Sequence, residues 1–390
     1  MSHDKASRWL QQGRVCYNEH RYDEALAACE RVLLLDPRRV LAWKLKGVAL
    51  YQLGRSAEAL QAAEQALALD PRDAGIWSNK GMALFSLRRY EETLQAVEQA
   101  LQRDPALPAA WHARENALLA LHRYAEALRT TEQALAFDPG DTWSLHTKGM
   151  VLFSLQRYEE ALQASEQALR HDPTLLAAWH DKESALLKLQ RYAEALQAAE
   201  QALALDPSHA ASWSNKGAAL LELRQYEEAR AAATQALRLD ASDAGGWTNK
   251  GIALFKLQRY EEALHAYEQS LQCNPETLAT WQGKVQLLLK LQRYQEALVA
   301  VNEALQIDPG SAACWWLKGH ACAGEDHYSP AMLAYKQAIT LELERKGRWR
   351  NIWFWRARRH LMAFRALLRI LVFYAAEKRR QRSPRGREPA

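Results

Sequence analysis

An Asp-Pro dipeptide recurs every 34 residues along most of this 390-residue chain. It stands at Asp36-Pro37, Asp70-Pro71, Asp104-Pro105, Asp138-Pro139, Asp172-Pro173 and Asp206-Pro207, and Asn274-Pro275 and Asp308-Pro309 keep the same register. A unit this short cannot bury an apolar face alone, so it must stack on copies of itself. The period therefore argues against one enclosed globule and moves the search for function from a cleft to a long repeated surface.

Between these landmarks the apolar residues follow the helical period: Trp77, Met82, Ala83, Leu84 and Leu87, then Tyr90, Leu94, Val97 and Leu101. Each repeat thus reads as two helices. The break between them carries an Arg-Tyr pair, and Asp-Pro ends the second helix, because proline lacks the amide donor and disfavours helix in the residue before it. A Trp at one fixed place per repeat is expected to lie buried between helices, where its loss would cost about 3–5 kcal/mol.

The landmarks keep phase with one another. Trp9, Trp43, Trp77, Trp111 and then Trp179 through Trp315 share one place; Tyr22, Tyr90 and Tyr124 follow thirteen residues later, and Ala25, Ala59 and Ala127 sit three residues beyond that place. This pattern resembles the tetratricopeptide repeat, with ten copies in phase from Ala6 to Arg345. The resemblance implies an all-α fold, a right-handed superhelical α-solenoid of antiparallel helix pairs whose first helices line a concave groove. It also implies a non-catalytic scaffold or adaptor that holds an extended partner segment there.

Charge divides the chain. From Lys346 onward 14 Lys or Arg face two acids, whereas the preceding residues carry 37 bases and 44 acids. The repeats read as an ordinary solvated surface and the tail as a separate basic segment. Five cysteines form no C-x-x-C pair and leave an odd one, which points to neither a disulfide framework nor a zinc site. The chain shows no secretory segment and no apolar run of about 18 residues, so a cytoplasmic protein, with a peripheral membrane contact as an option, is expected. No phosphate loop or nucleophile elbow is present, and the expectation is no enzyme and no cofactor.

Uniform rows are poor guides to function. Lys46, Lys80, Lys148, Lys182, Lys216, Lys250, Lys284 and Lys318, with Arg114, share the place just before the usual Gly; an anion-binding ladder is one reading, and a stem lying over apolar surface with a solvated head is favoured over it. Departures say more. The fifth repeat has Leu145 in the Trp place and a Trp two residues earlier, Trp143. Two residues are about 200° of helix, so Trp143 is directed away from the core and into the groove, or else rescues packing from a neighbouring position. His146 lies on the same face, with His112 and His180 in the equivalent places either side, and Met82, Asn116 and Met150 extend the lining. A rigid aromatic, polar rings and adaptable methionines suit peptide recognition. Asn79, Asn215 and Asn249 share a further place, which resembles the asparagines that hold peptide main chains in members of the family. Small or apolar residues at the second position of each repeat disfavour a clamp for chaperone tails. His112 with Glu115 and His180 with Glu183 have a metal-site spacing but no complementary ligands.

Residues 346–377 are read as a basic, Trp-rich amphipathic helix and residues 378–390 as a polar basic tail. The helix would cap the last repeat. Arg350, Arg356, Arg358, Arg359, Arg365 and Arg369 would contact an anionic membrane or, as the competing reading, nucleic acid.

Overall fold

The computed structural model describes residues 2–346; the basic segment with Arg350, Arg356, Arg358, Arg359, Arg365 and Arg369 lies outside the described residues. Short apolar stretches cut by turn residues give twenty helices and, among the described residues, no strand. The chain divides into two compact units, Met1–Pro207 and Ser208–Ala390. The first holds α1 (Ser2–Asn18), α2 (Tyr22–Leu35), α3 (Val40–Gln52), α4 (Ser56–Leu69), α5 (Ala74–Ser86), α6 (Tyr90–Arg103), α7 (Pro108–Ala120), α8 (Tyr124–Phe137), α9 (Thr142–Ser154), α10 (Tyr158–His171), α11 (Leu176–Lys188) and α12 (Tyr192–Leu205). The second holds α13 (Ala210–Glu222), α14 (Tyr226–Leu239), α15 (Ala244–Lys256), α16 (Tyr260–Cys273), α17 (Leu278–Lys290), α18 (Tyr294–Ile307), α19 (Ala312–Gly324) and α20 (Tyr328–Lys346). Within each, consecutive helices pair and pairs stack as a helical solenoid. None of the described helices is long and apolar enough to cross a membrane.

Two different turns alternate. Inside a pair, one residue takes a left-handed backbone, Gly54 with φ 74° or Arg88 and Gln156 with φ near 60°. The chain then folds back, and the Arg55 amide donates to the Leu50 carbonyl at 2.9 Å. The arginine that follows forks onto a glutamate three residues on, as Arg157 does onto Glu160 with bonds of 2.7 and 2.6 Å. These forks are exposed and screened by solvent, so each contributes little to stability.

Between pairs, the Asp carboxylate accepts the amide two residues on: Arg72 to Asp70 at 3.0 Å and Thr174 to Asp172 at 2.9 Å. Asp240 is followed by Ala241 in place of proline, yet it takes the Ser242 amide at 2.9 Å and the turn is kept. The carboxylate, more than the ring, sets this joint. Each Trp then closes it. The indole N–H of Trp43 donates to the Pro37 carbonyl at 2.9 Å, that of Trp111 to Pro105 at 2.8 Å, that of Trp281 to Pro275 at 2.8 Å and that of Trp247 to Ala241 at 3.0 Å.

That bond explains a departure from the sequence expectation. Trp111, 7% exposed, is the only fully buried tryptophan among the described residues; the others in the row lie half-buried across the edge of their pair. The sealed core is made instead by small and branched residues such as Ala59, Ala83, Leu84, Leu118 and Leu152. The lysine heads also differ from expectation, being paired as well as solvated. Lys80 stands 5.7 Å from the Trp77 ring centroid and 3.3 Å from Glu64 of the preceding pair, and Lys284 stands 5.9 Å from Trp281 and 3.0 Å from Glu268. Glycine makes room for the bulkiest of the fully buried side chains. The fully buried Tyr267 fits against Gly251 and Gly283, where a Cβ would meet its ring at 2.7 and 2.9 Å.

Trp281→Phe keeps the aromatic packing and removes the bond to Pro275. It is expected to cost about 1 kcal/mol of stability, read from urea unfolding, with unchanged helical content in the native state.

Candidate functional site

The fifth pair breaks the row of tryptophans. Leu145 of α9 takes the core place, 2% exposed, while Trp143 at the start of the same helix is 44% exposed. Asp141 caps α9, accepting the Trp143 amide at 3.3 Å and the Ser144 amide at 3.4 Å. The same carboxylate bonds His112 Nε2 of α7 at 2.8 Å. On the other side His146 Nδ1 bonds Asp181 of α11 at 2.5 Å. Two His–Asp bonds therefore tie three successive first helices together, and the indole lies between the imidazoles. Its ring centroid is 5.6 Å from His112 and 6.4 Å from His146.

This bridging has a sequence spacing. A side chain on one first helix reaches the cap of the next, 29 residues on: Lys44 to Asp73 at 2.8 Å, His112 to Asp141, and Gln282 to Ser311 at 3.3 Å. Burial works to raise the Asp141 carboxyl, but the bonds from His112 and Ser144 outweigh it and hold it below the usual carboxylate range. Asp141 and Asp181 were not singled out by sequence reasoning, although the 29-residue spacing to a capping Asp would have found the first.

The other candidates are distributed. His180 lies 3.8 Å from Glu183 of its own helix, which raises the imidazole above its ordinary value. Met82 is half-buried and packs against the cluster around Val97 and Trp111. Asn79, Asn116 and Met150 are half-buried on α5, α7 and α9. Asn215 and Asn249 belong to the second compact unit, where the Asn249 amide donates to the Ser214 carbonyl at 3.0 Å and so joins two first helices. Among the described residues no three or more His, Cys, Asp or Glu side chains stand together as a metal site.

Beneath the indole face lies a buried polar core. Glu115 of α7, 0% exposed, accepts the Ser144 hydroxyl on Oε1 at 2.8 Å, with the Thr147 hydroxyl close to the same carboxyl. Burial raises its pKa to about 8, with Asp141 adding to the rise against the opposing bond from Ser144. Glu115 is thus mostly protonated at neutral pH.

Family models described as tetratricopeptide repeat match residues 10–74, 49–108, 184–244, 244–276 and 278–311. The chain belongs to the tetratricopeptide repeat family. A model described as anaphase-promoting complex, cyclosome, subunit 3 matches residues 120–202. Among solved structures, the APC/C hetero-tetramer Cut9-Hcn1 is similar at 15% identity with a TM-score of 0.54, covering 86% of this chain and 73% of that one. YrrB, titled a TPR protein with an unusual peptide-binding site, is 22% identical over 51% of this chain and 99% of its own, with a TM-score of 0.42. MamA from Desulfovibrio magneticus RS-1 is 21% identical over 44% of this chain and 96% of its own, with a TM-score of 0.40. The likeness to Cut9-Hcn1 is one of fold. No curated protein sequence matches the chain.

The protonated carboxyl of Glu115 makes stability depend on pH. Its folded pKa lies above its unfolded one, so its contribution is fully present below about pH 4.5 and is lost as pH rises toward 8. Glu115→Gln is expected to match the parent below that range and to exceed it by up to about 3 kcal/mol at pH 7. Urea unfolding of both proteins across pH 4 to 8 reads the gap; parallel curves would show that Glu115 ionises as freely in the folded chain as in the unfolded one.

Proposed function

We propose that this chain is a non-catalytic scaffold whose first compact unit holds an extended segment of a partner protein along α7, α9 and α11. The displaced tryptophan carries the reading. An indole belongs at a core place in this repeat; here Leu145 fills that place and the indole is left 44% exposed between two rings. An exposed Trp, held by a capped helix end and flanked by side chains that are themselves fixed, has little freedom left to lose on binding.

The polar contacts complement it. His112 is held through Nε2 and His146 through Nδ1, which leaves the other nitrogen of each ring for a ligand. Carboxylate-anchored imidazoles beside an indole fit a segment that presents an apolar or aromatic side chain and main-chain polar groups. Met82, Asn116, Met150 and His180 extend this face, and Asn79, Asn215 and Asn249 are further candidate contacts along the rows of first helices. The chemistry offered is recognition, and family membership agrees with a binding role.

Selection of random peptides against the intact protein, followed by titration of the winners, tests this. Trp143→Ala is expected to weaken such peptides by about 30-fold, corresponding to about 2 kcal/mol, with a stability change below about 1 kcal/mol because the ring is half in solvent. Peptides indifferent to Trp143→Ala and to His146→Ala would move the binding surface elsewhere.

A further inference from the structure

Among the stacked cations of the repeats, one rung of the second compact unit stands apart. In most rungs the charge is internally balanced: the cation lies over its tryptophan and meets a glutamate 16 residues earlier, as Lys46 meets Glu30 at 3.1 Å, Lys182 meets Glu166 at 3.1 Å and Lys284 meets Glu268 at 3.0 Å. At Lys250 the corresponding place holds Thr234, whose hydroxyl turns back onto the Arg230 carbonyl at 2.7 Å. Arg230 is itself a departure, since the equivalent place is Leu26, Leu60, Leu128, Leu162, Leu264 or Leu298 in other repeats. Relative to its neighbours, this rung has lost one negative charge and gained a positive one.

The compensating acids are already committed. Glu227 takes the Arg230 Nε at 3.0 Å, and Glu262 is held by the Arg259 fork with two bonds of 2.7 Å. Lys250 has no carboxylate within ion-pair distance among the described residues, and its ammonium lies 4.9 Å from the Trp247 centroid, the shortest such lysine contact among them. Burial and the charge of Arg230 together hold it below the ordinary lysine range. The next cation without an acid at that spacing, Lys318, has Asn302 opposite and Leu298 where Arg230 would be, so it has lost the acid without gaining the guanidinium.

We propose that Lys250, stacked on Trp247, and the neighbouring charge of Arg230 form an oxyanion site that takes an acidic side chain of a partner protein. The missing glutamate defines the ligand: the site has the shape of a rung whose carboxylate must come from another chain. The ammonium offers three donors and the guanidinium its remaining N–H groups, so one carboxylate can be shared between them. A single exposed carboxylate or free ion gains little from such a site, whereas an acidic segment adds contacts on either side. This contact is separate from the Trp143 face and does not depend on it.

Residue-specific acylation of the intact protein, read by mass spectrometry, tests the proposal without interference from the basic tail. A glutamate-rich peptide is expected to slow labelling of Lys250 at least threefold while Lys80, Lys284 and Lys318 label at unchanged rates. Thr234→Glu with Arg230→Leu restores the rung found in the neighbouring repeats, so the fold is kept; in this variant the peptide should no longer change the Lys250 rate. Equal labelling of Lys250 with and without peptide overturns the site. Protection by inorganic phosphate but not by the peptide overturns the assignment to a partner's side chain and leaves a small-ion site. Protection that persists in the double variant overturns the role given to Arg230 and Thr234.

Discussion

One hydrogen bond, from an indole N–H to the carbonyl six residues before it, fastens most joints between helix pairs to the helix that follows. The carbonyl belongs to the turn that ends one pair and the indole to the first helix of the next, so the bond fixes where a pair begins. With that direction set, the small residues of neighbouring helices meet at close range and the glutamate of one pair reaches the cation of the next. Repeats of this kind depend for their stability on the interfaces with their neighbours. A joint that wandered would therefore cost both pairs it connects.

Against such a uniform background, chemistry enters through local exchange of residues within an unchanged frame. A Leu–Trp exchange in α9 brings an indole to the surface, and the cap of that helix takes a histidine from α7. A Gly-to-Glu exchange in α7 buries a carboxyl beneath the same face. In the second compact unit two exchanges on α14 alter the charge of one rung and leave its stacking intact. None of these requires a change of helix length: the first helices from α3 to α19 are all thirteen residues long.

Much of this was legible in the chain itself, for identifiable reasons. The 34-residue period and its phase give the helix pairs because punctuation and hydrophobic spacing agree in every copy. Rotation of about 200° between Trp143 and Leu145 gives the outward indole and its neighbours His112 and His146. The acid partners are another matter. Asp141 and Asp181 reach their histidines across 29 and 35 residues, distances that acquire meaning only once the stacking is known. The half-buried state of the tryptophans was likewise hidden, because an indole that bonds a turn carbonyl and one that fills a core leave the same mark in a repeat. Glu115 reads in sequence as an inherited oddity; its burial, and with it the raised pKa, depends on α9 packing over it.

Moving the indole to the surface has a second effect. With leucine in the core place, the joint at Asp138-Pro139 has no indole to strap its carbonyl, and Lys148 has no ring beneath it. Where the chain exposes its most adhesive side chain, it has also given up the bond that secures the other joints, and the cap Asp141 is shared with a histidine of the preceding pair. The seam between the fourth and fifth pairs is therefore held by His112 on Asp141 and Ser144 on Glu115 in place of an indole strap. A segment lying across α7, α9 and α11 would act there as an external splint, returning to the array the cohesion that the displaced tryptophan took from it.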